Sequence, residues 1–136
     1  MYFAYGSNLN QQRMIERGVI FTEMRPAKLY DYELRFNKVS KQGAVANVIY
    51  KKDSIVEGIL YRVQSLDLLD KYEGVKSGHY NRVLLNVDGV LANVYICENK
   101  QFLQEGLKPK QEYLNHLLEG KNYMSEEYFE KLKMII

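Results

Sequence analysis

Tryptophan is absent, cysteine occurs once, and proline and histidine occur twice each in 136 residues. With Cys97 alone, no intrachain disulfide can form, and this usage fits a reducing compartment such as the cytoplasm. His79, His116 and Cys97 do not stand at metal-ligand spacing, so no zinc or iron site is expected. No stretch approaches the roughly 18 apolar residues a membrane-spanning helix needs, and a strand beginning at Tyr2 leaves no room for a secretory leader. A soluble protein without membrane contact is therefore expected. The net charge of +2 is too small to argue for a polyanionic partner. Lys28, Arg35, Lys38, Lys41, Lys51 and Lys52 are scattered among tyrosines without any nucleic-acid recognition motif, and they read as solvated strand edges. Neither G-x-G-x-x-G, nor G-x-x-x-x-G-K-[ST], nor G-x-S-x-G occurs, so nucleotide binding and serine hydrolysis lack their signatures.

Charged residues at 26% and hydrophobic residues at 46% are globular proportions, and the length suits one domain, 1–136, able to bury a core without metal or disulfide. Twelve tyrosines stand out, a number that serves half-buried strands or a polar pocket equally well.

Hydrophobic periodicity divides the chain as follows. Tyr2 to Tyr5 reads as a short buried strand and Asn10 to Arg17 as a helix stopped by Gly18. "MRPAKLYDYELRFNK" alternates as a strand with one irregularity near Tyr30 and Asp31, and "KVSKQG" reads as a loop. Ala44 to Tyr50 and Ser54 to Val63 are β-branched-rich strands, with "KKD" between them as a hairpin connection. Leu66 to Glu73 has helical spacing, Ser65 as a cap and Gly74 as a stop. "YNRVLLNV" and "VLANVYICE" flank the turn dipeptide Asp88-Gly89. Lys110 to Glu119 and Glu126 to Met134 are helices, the second capped by Ser125. About six strands in two hairpin-rich groups, with helices between and around them, predict an α+β domain on a mixed, largely antiparallel sheet, curled toward a barrel.

Two segments carry chemical promise. "YGSNL", Tyr5 to Leu9, passes from strand to helix through small residues, and such a junction holds out N–H groups suited to a carboxylate or oxyanion. An ordinary cap by Ser7 or Asn8 explains the same pattern. In "DKYEGVKSGHY", Glu73 stands at a helix C-terminus, where the helix dipole disfavours a carboxylate, and Asp70 one turn earlier adds like-charge repulsion. Partial burial there would raise the Glu73 pKa into the range of a general base that later acts as an acid. The alternative is an exposed glutamate paired with Lys76.

These two segments, with "GLKPKQEYLNHLLEGKNYMSEEYFEKLKMI" after them, resemble the γ-glutamylcyclotransferase family over nearly the whole chain. The resemblance implies a small mixed β-barrel flanked by helices, and a reaction that cyclises a γ-glutamyl group to 5-oxoproline and releases an amino acid or amine. It implies Glu73 as the acid/base and Tyr5, Gly6, Ser7, Asn8 and Leu9 as the substrate-binding loop. Tyr80, Tyr95 and Tyr113 match tyrosines near the family's pocket. It implies a small γ-glutamyl substrate and neither metal nor organic cofactor. The leaving group is left open between an amino acid, an amine and an amine on a γ-glutamyl-protected biosynthetic intermediate. A cyclotransferase-like binding module without activity is the rival from another class, and a homodimer is compatible with exposed tyrosines.

Overall fold

The computed structural model describes residues 1–136. In chain order the elements are β1 (Tyr2–Ala4), α1 (Gln11–Glu16), β2 (Phe21–Ser40), β3 (Gly43–Val63), α2 (Asp67–Tyr72), β4 (Asn81–Val87), β5 (Val90–Ile96), α3 (Gln111–Leu118) and α4 (Glu126–Lys133), with short 3-10 turns between them. The five strands form one sheet in the order β2-β3-β1-β5-β4. All pairings are antiparallel except β1 beside β5. This is the α+β class expected, with one strand fewer.

β1 explains the centre of the sheet. Tyr2, Phe3 and Ala4 are all buried, as a strand covered on both faces must be. Its approach to β3 depends on Gly58, where a Cβ would stand 2.2 Å from the Ala4 carbonyl oxygen. Around β1 the core gathers side chains from every helix, including Met14, Leu69, Leu114, Leu117 and Leu132. Asn47, fully buried on β3, exchanges two hydrogen bonds with the Cys97 backbone just beyond β5, at 2.9 and 3.0 Å.

The sheet curls without closing. β2 and β4 remain its edges, and the backbone N–H of Lys28 on β2 donates to Asp88 Oδ2 in the β4–β5 turn at 2.7 Å, tying one edge to the other. The barrel expectation holds only in that loose sense.

"KKD" is not a hairpin turn. The pairing jumps from Tyr30 opposite Ile55 to Tyr32 opposite Tyr50, so Asp31 faces residues 51–54 across a wide bulge inside two continuous strands. Asp31 and Asp53 both have φ of 67°, and the Asp53 N–H donates to Asp31 Oδ1 at 2.9 Å. Short polar side chains adopt that conformation readily, which is why the segment looked like a turn. The true β2–β3 turn is Lys41-Gln42, and Lys38 to Ser40, expected in a loop, belong to the strand. Asp88 and Gly89, with φ of 49° and 82°, form the expected tight β4–β5 turn. Ser125 caps α4 as expected, its hydroxyl accepting from the Tyr128 N–H at 3.2 Å.

Candidate active site

A cleft of about 440 Å³ opens where four segments converge: the loop after β1, the β2–β3 turn, the end of α2 with the loop following it, and α3. Its lining includes Tyr5, Gly6, Ser7, Asn8, Glu73, Tyr80, Tyr95 and Tyr113 from the residues singled out in the sequence. Leu9 is not among them. It is buried in the core against Gly120, whose hypothetical Cβ would sit 3.1 Å from the Leu9 Cβ.

The loop after β1 forms a single 3-10 turn, Ser7–Leu9. Leu9 N–H bonds to the Gly6 carbonyl at 3.0 Å and Asn10 N–H to the Ser7 carbonyl at 3.1 Å, while the N–H groups of Gly6, Ser7 and Asn8 find no acceptor in the protein. The cap belongs to neither Ser7 nor Asn8. It is Asn10 whose Oδ1 accepts from Gln12 N–H at 3.1 Å to start α1. The Ser7 hydroxyl instead accepts from Arg13 Nε at 3.1 Å, and Asn8 is buried with both ends of its amide bonded: Nδ2 donates to the Tyr2 hydroxyl at 2.9 Å and Oδ1 accepts from Arg17 at 3.0 Å. The Tyr61 hydroxyl also donates to the Asn8 carbonyl at 2.7 Å. These side-chain bonds hold the loop's backbone in place, and its N–H groups remain unpaired.

Gly6 has a steric reason. A Cβ there would come within 3.2 Å of both Ala46 Cβ and the Tyr113 hydroxyl. That hydroxyl accepts from the Ala46 N–H at 3.0 Å, so its own proton is unspent, whereas Tyr80 donates its proton to the Ala46 carbonyl at 2.7 Å. Tyr5 donates to the Tyr95 carbonyl, and Tyr95 donates to Asp70 Oδ1 at 2.6 Å. Of the four tyrosines, Tyr113 alone keeps a donor for a ligand. Burial pushes its phenol up to about 12, so the proton stays on at neutral pH.

Glu73 ends α2, its N–H bonded to the Leu69 carbonyl at 2.8 Å. Burial in the cleft pushes its carboxyl up to about 7, against the opposing pull of Arg17, Lys38 and Arg13. The expected contribution of Asp70 is not found. Asp70 is turned away to Arg82 at 3.0 Å and to Tyr95, and desolvation rather than like-charge repulsion raises Glu73. Nor does Glu73 pair with Lys76, which is exposed, or with any other cation. Gly74, at φ of 63°, turns the chain immediately afterwards, and a Cβ there would press to 2.9 Å from the His79 ring.

Sequence reasoning missed the cations. Arg13 and Arg17 both line the cleft, the first beside His116 at 3.4 Å and the second over the Tyr72 ring at 4.8 Å. Their spacing of four residues, from within α1 to the residue that ends it, was the available signal. Lys38, read as part of a solvated edge and loop, is 97% covered, since its exposure is only 3%. Simple alternation gave no signal for it, because the strand register shifts between Arg35 and Lys38 and buries Asn37 beside it.

What this arrangement can do is specific. It offers a carboxyl poised to exchange a proton near neutrality, N–H donors and a phenol alongside several cations, and apolar surface from Phe3, Val45 and Ala46. An α+β domain with such a cleft defines a class, and residues 55–132 match the model of the AIG2-like family. The γ-glutamylcyclotransferases of Mus musculus and Homo sapiens are each 31% identical over 146 residues, an alignment spanning 99% of this chain and 78% of theirs. A solved γ-glutamyl cyclotransferase structure superposes with a TM-score of 0.84 at 30% identity, covering 99% of this chain and 86% of that one. The chain belongs to the γ-glutamylcyclotransferase family.

Proposed function

We propose that the protein cyclises a γ-glutamyl substrate, releasing 5-oxoproline and the amino acid or amine that had been attached to the γ-carbonyl. The observation that carries this reading is the shared cleft: Glu73, with a carboxyl raised to about 7, lines the same cavity as Gly6, Ser7 and Asn8, whose N–H groups have no acceptor in the protein.

The substrate's α-amine and γ-carbonyl already belong to one molecule and close a five-membered ring, so positioning supplies much of the rate and no covalent enzyme intermediate is required. An α-amine with a pKa of about 8 is mostly protonated at neutral pH, so it first gives up one proton to solvent, and Glu73 in its ionised form accepts a second as the neutral nitrogen attacks the γ-carbon. The C–N bond to the leaving group then breaks. Glu73 returns the proton to the departing nitrogen, which leaves as a neutral amine. Between the two transfers, negative charge collects on the γ-carbonyl oxygen. The N–H groups of Gly6, Ser7 and Asn8 and the free phenolic proton of Tyr113 are donors of the type that stabilises such an oxyanion, each worth about 2.7–4 kcal/mol in comparable sites. The substrate's α-carboxylate lies against the same loop, with Arg13 and Arg17 behind it. Tyr5, Tyr80 and Tyr95 hold the walls. The reading requires no cofactor, because Glu73, the substrate and solvent account for every proton and electron pair in the sequence.

The test is a panel of γ-glutamyl dipeptides and γ-glutamyl amides, with products read by mass spectrometry. One 5-oxoproline per released amine is expected. Free glutamate in its place would show hydrolysis and contradict the cyclisation.

A further inference from the structure

Lys38 is a cation buried in the cleft without a counter-ion. Its ammonium donates to the Val39 carbonyl at 3.0 Å and to His79 Nδ1 at 2.8 Å, both neutral acceptors, and lies over the Phe102 ring at 5.0 Å and the Tyr80 ring at 5.5 Å. Because an ammonium can only donate, Nδ1 must be the accepting nitrogen and the neutral His79 ring carries its proton on Nε2. The ring is fixed by stacking on Phe102 at 4.1 Å between centroids. Two of the three ammonium protons are spent and the third is not.

The other cleft cations have assigned neighbours. Arg13 is bonded to Ser7, and Arg17 to Asn8. Lys41 is exposed at the β2–β3 turn. Against Arg13, Arg17, Lys38 and Lys41 the lining sets one carboxylate, Glu73, and it is paired with none of them. A desolvated ammonium without an anion is a costly arrangement, and the cleft as a whole is short of negative charge.

The position of Lys38 says which charge completes it. His79 N–H bonds to the Gly74 carbonyl at 3.0 Å, so the Lys38–His79 pair is anchored to the residue directly after Glu73. In the reading above, Glu73 returns its proton to the leaving nitrogen. A carboxylate on the carbon next to that nitrogen is two bonds away, and it falls in the same neighbourhood.

Resting on that reading, we propose that Lys38, oriented by His79, is the specificity-determining residue that binds a carboxylate on the leaving group. The protein then selects γ-glutamyl α-amino acids over γ-glutamyl amines. A leaving group with a carboxylate gives the substrate two negative charges and one positive, complementary to this cleft, whereas a simple amine leaves Lys38 buried and unpaired.

γ-Glutamyl-alanine and γ-glutamyl-ethylamide differ by that carboxylate alone, and γ-glutamyl-alaninamide replaces it with a neutral amide. For the wild type, kcat/KM for 5-oxoproline release is expected to favour γ-glutamyl-alanine over both others by about thirtyfold or more, mainly through KM. In Lys38→Met, which keeps the packing of the stem, that ratio should fall to within about threefold. The ratio is insensitive to damage shared by all three substrates, such as altered titration of Glu73 or partial unfolding, and the wild-type comparison needs no variant. Equal use of the three substrates by the wild type, or a preference that survives in Lys38→Met, would overturn the proposal while leaving the cyclotransferase reading intact. Absence of 5-oxoproline from all three would overturn that reading, and this one with it.

Discussion

Glu73 shows how a single side chain acquires a role from its surroundings. Its position at the end of a helix was evident from "DKYEG", but the cause of its raised pKa was not, because desolvation depends on walls contributed by segments far away in the chain. The linkage has a definite sign. A carboxyl held near 7 when folded and near 4.5 when unfolded contributes stability below about pH 4.5 that is lost as pH rises through about 7. Glu73→Gln, neutral at all pH, should therefore gain in melting temperature relative to the wild type at pH 8.5, and the gain should shrink below pH 4.5. Thermal melts across that range check it. Tyr113→Phe removes the acceptor of the Ala46 N–H and an unspent phenolic proton. It should cost about 1–2 kcal/mol of stability and at least tenfold in kcat/KM, read by denaturant unfolding and by 5-oxoproline release. The tyrosines as a group were visible in the composition, whereas the direction of each hydroxyl proton required the structure.

Among the elements, short tight ones were read well and long ones poorly. β1, the Asp88-Gly89 turn and the Ser125 cap are local, and local chemistry specifies them. The Asp31 and Asp53 bulge has the composition of a turn, and only the partner strand decides that the chain runs through it rather than back. The same limit hid Lys38, since ending β2 early turned an inward position into a loop. Two glycines test how closely elements must approach. Gly58→Ala places a Cβ 2.2 Å from a backbone oxygen of β1, which cannot yield as a side chain does, so a loss of about 3 kcal/mol or more is expected in unfolding experiments. Gly6→Ala meets the Ala46 methyl and the Tyr113 hydroxyl at 3.2 Å, a crowding that displaces the loop by tenths of an ångström. It should lower kcat/KM by about tenfold to a hundredfold with a far smaller stability loss, because oxyanion donors tolerate little misplacement.

For the whole molecule, a net charge of +2 conceals a strongly biased distribution, with three cations tied into the cleft wall and one carboxylate among them. Substrates with a net negative charge should be used less efficiently as salt rises, with kcat/KM falling a few-fold between about 20 and 500 mM salt while the melting temperature changes little. Steady-state assays at matched pH would show it. The open, curled sheet makes this concentration of charge possible by bringing the loop after β1, the β2–β3 turn and the end of α2 to one side. All of these features converge on one claim, that Glu73 carries the proton between the substrate's two nitrogens. It is tested most directly by following 5-oxoproline release from a γ-glutamyl amino acid between pH 5 and 9 for the wild type and for a folded Glu73→Gln protein. The account predicts a wild-type kcat/KM that rises with pH to a bend near 7, and a Glu73→Gln rate lower by at least a hundredfold with that bend abolished. A folded Glu73→Gln protein that releases 5-oxoproline at the wild-type rate with the same pH profile would contradict it.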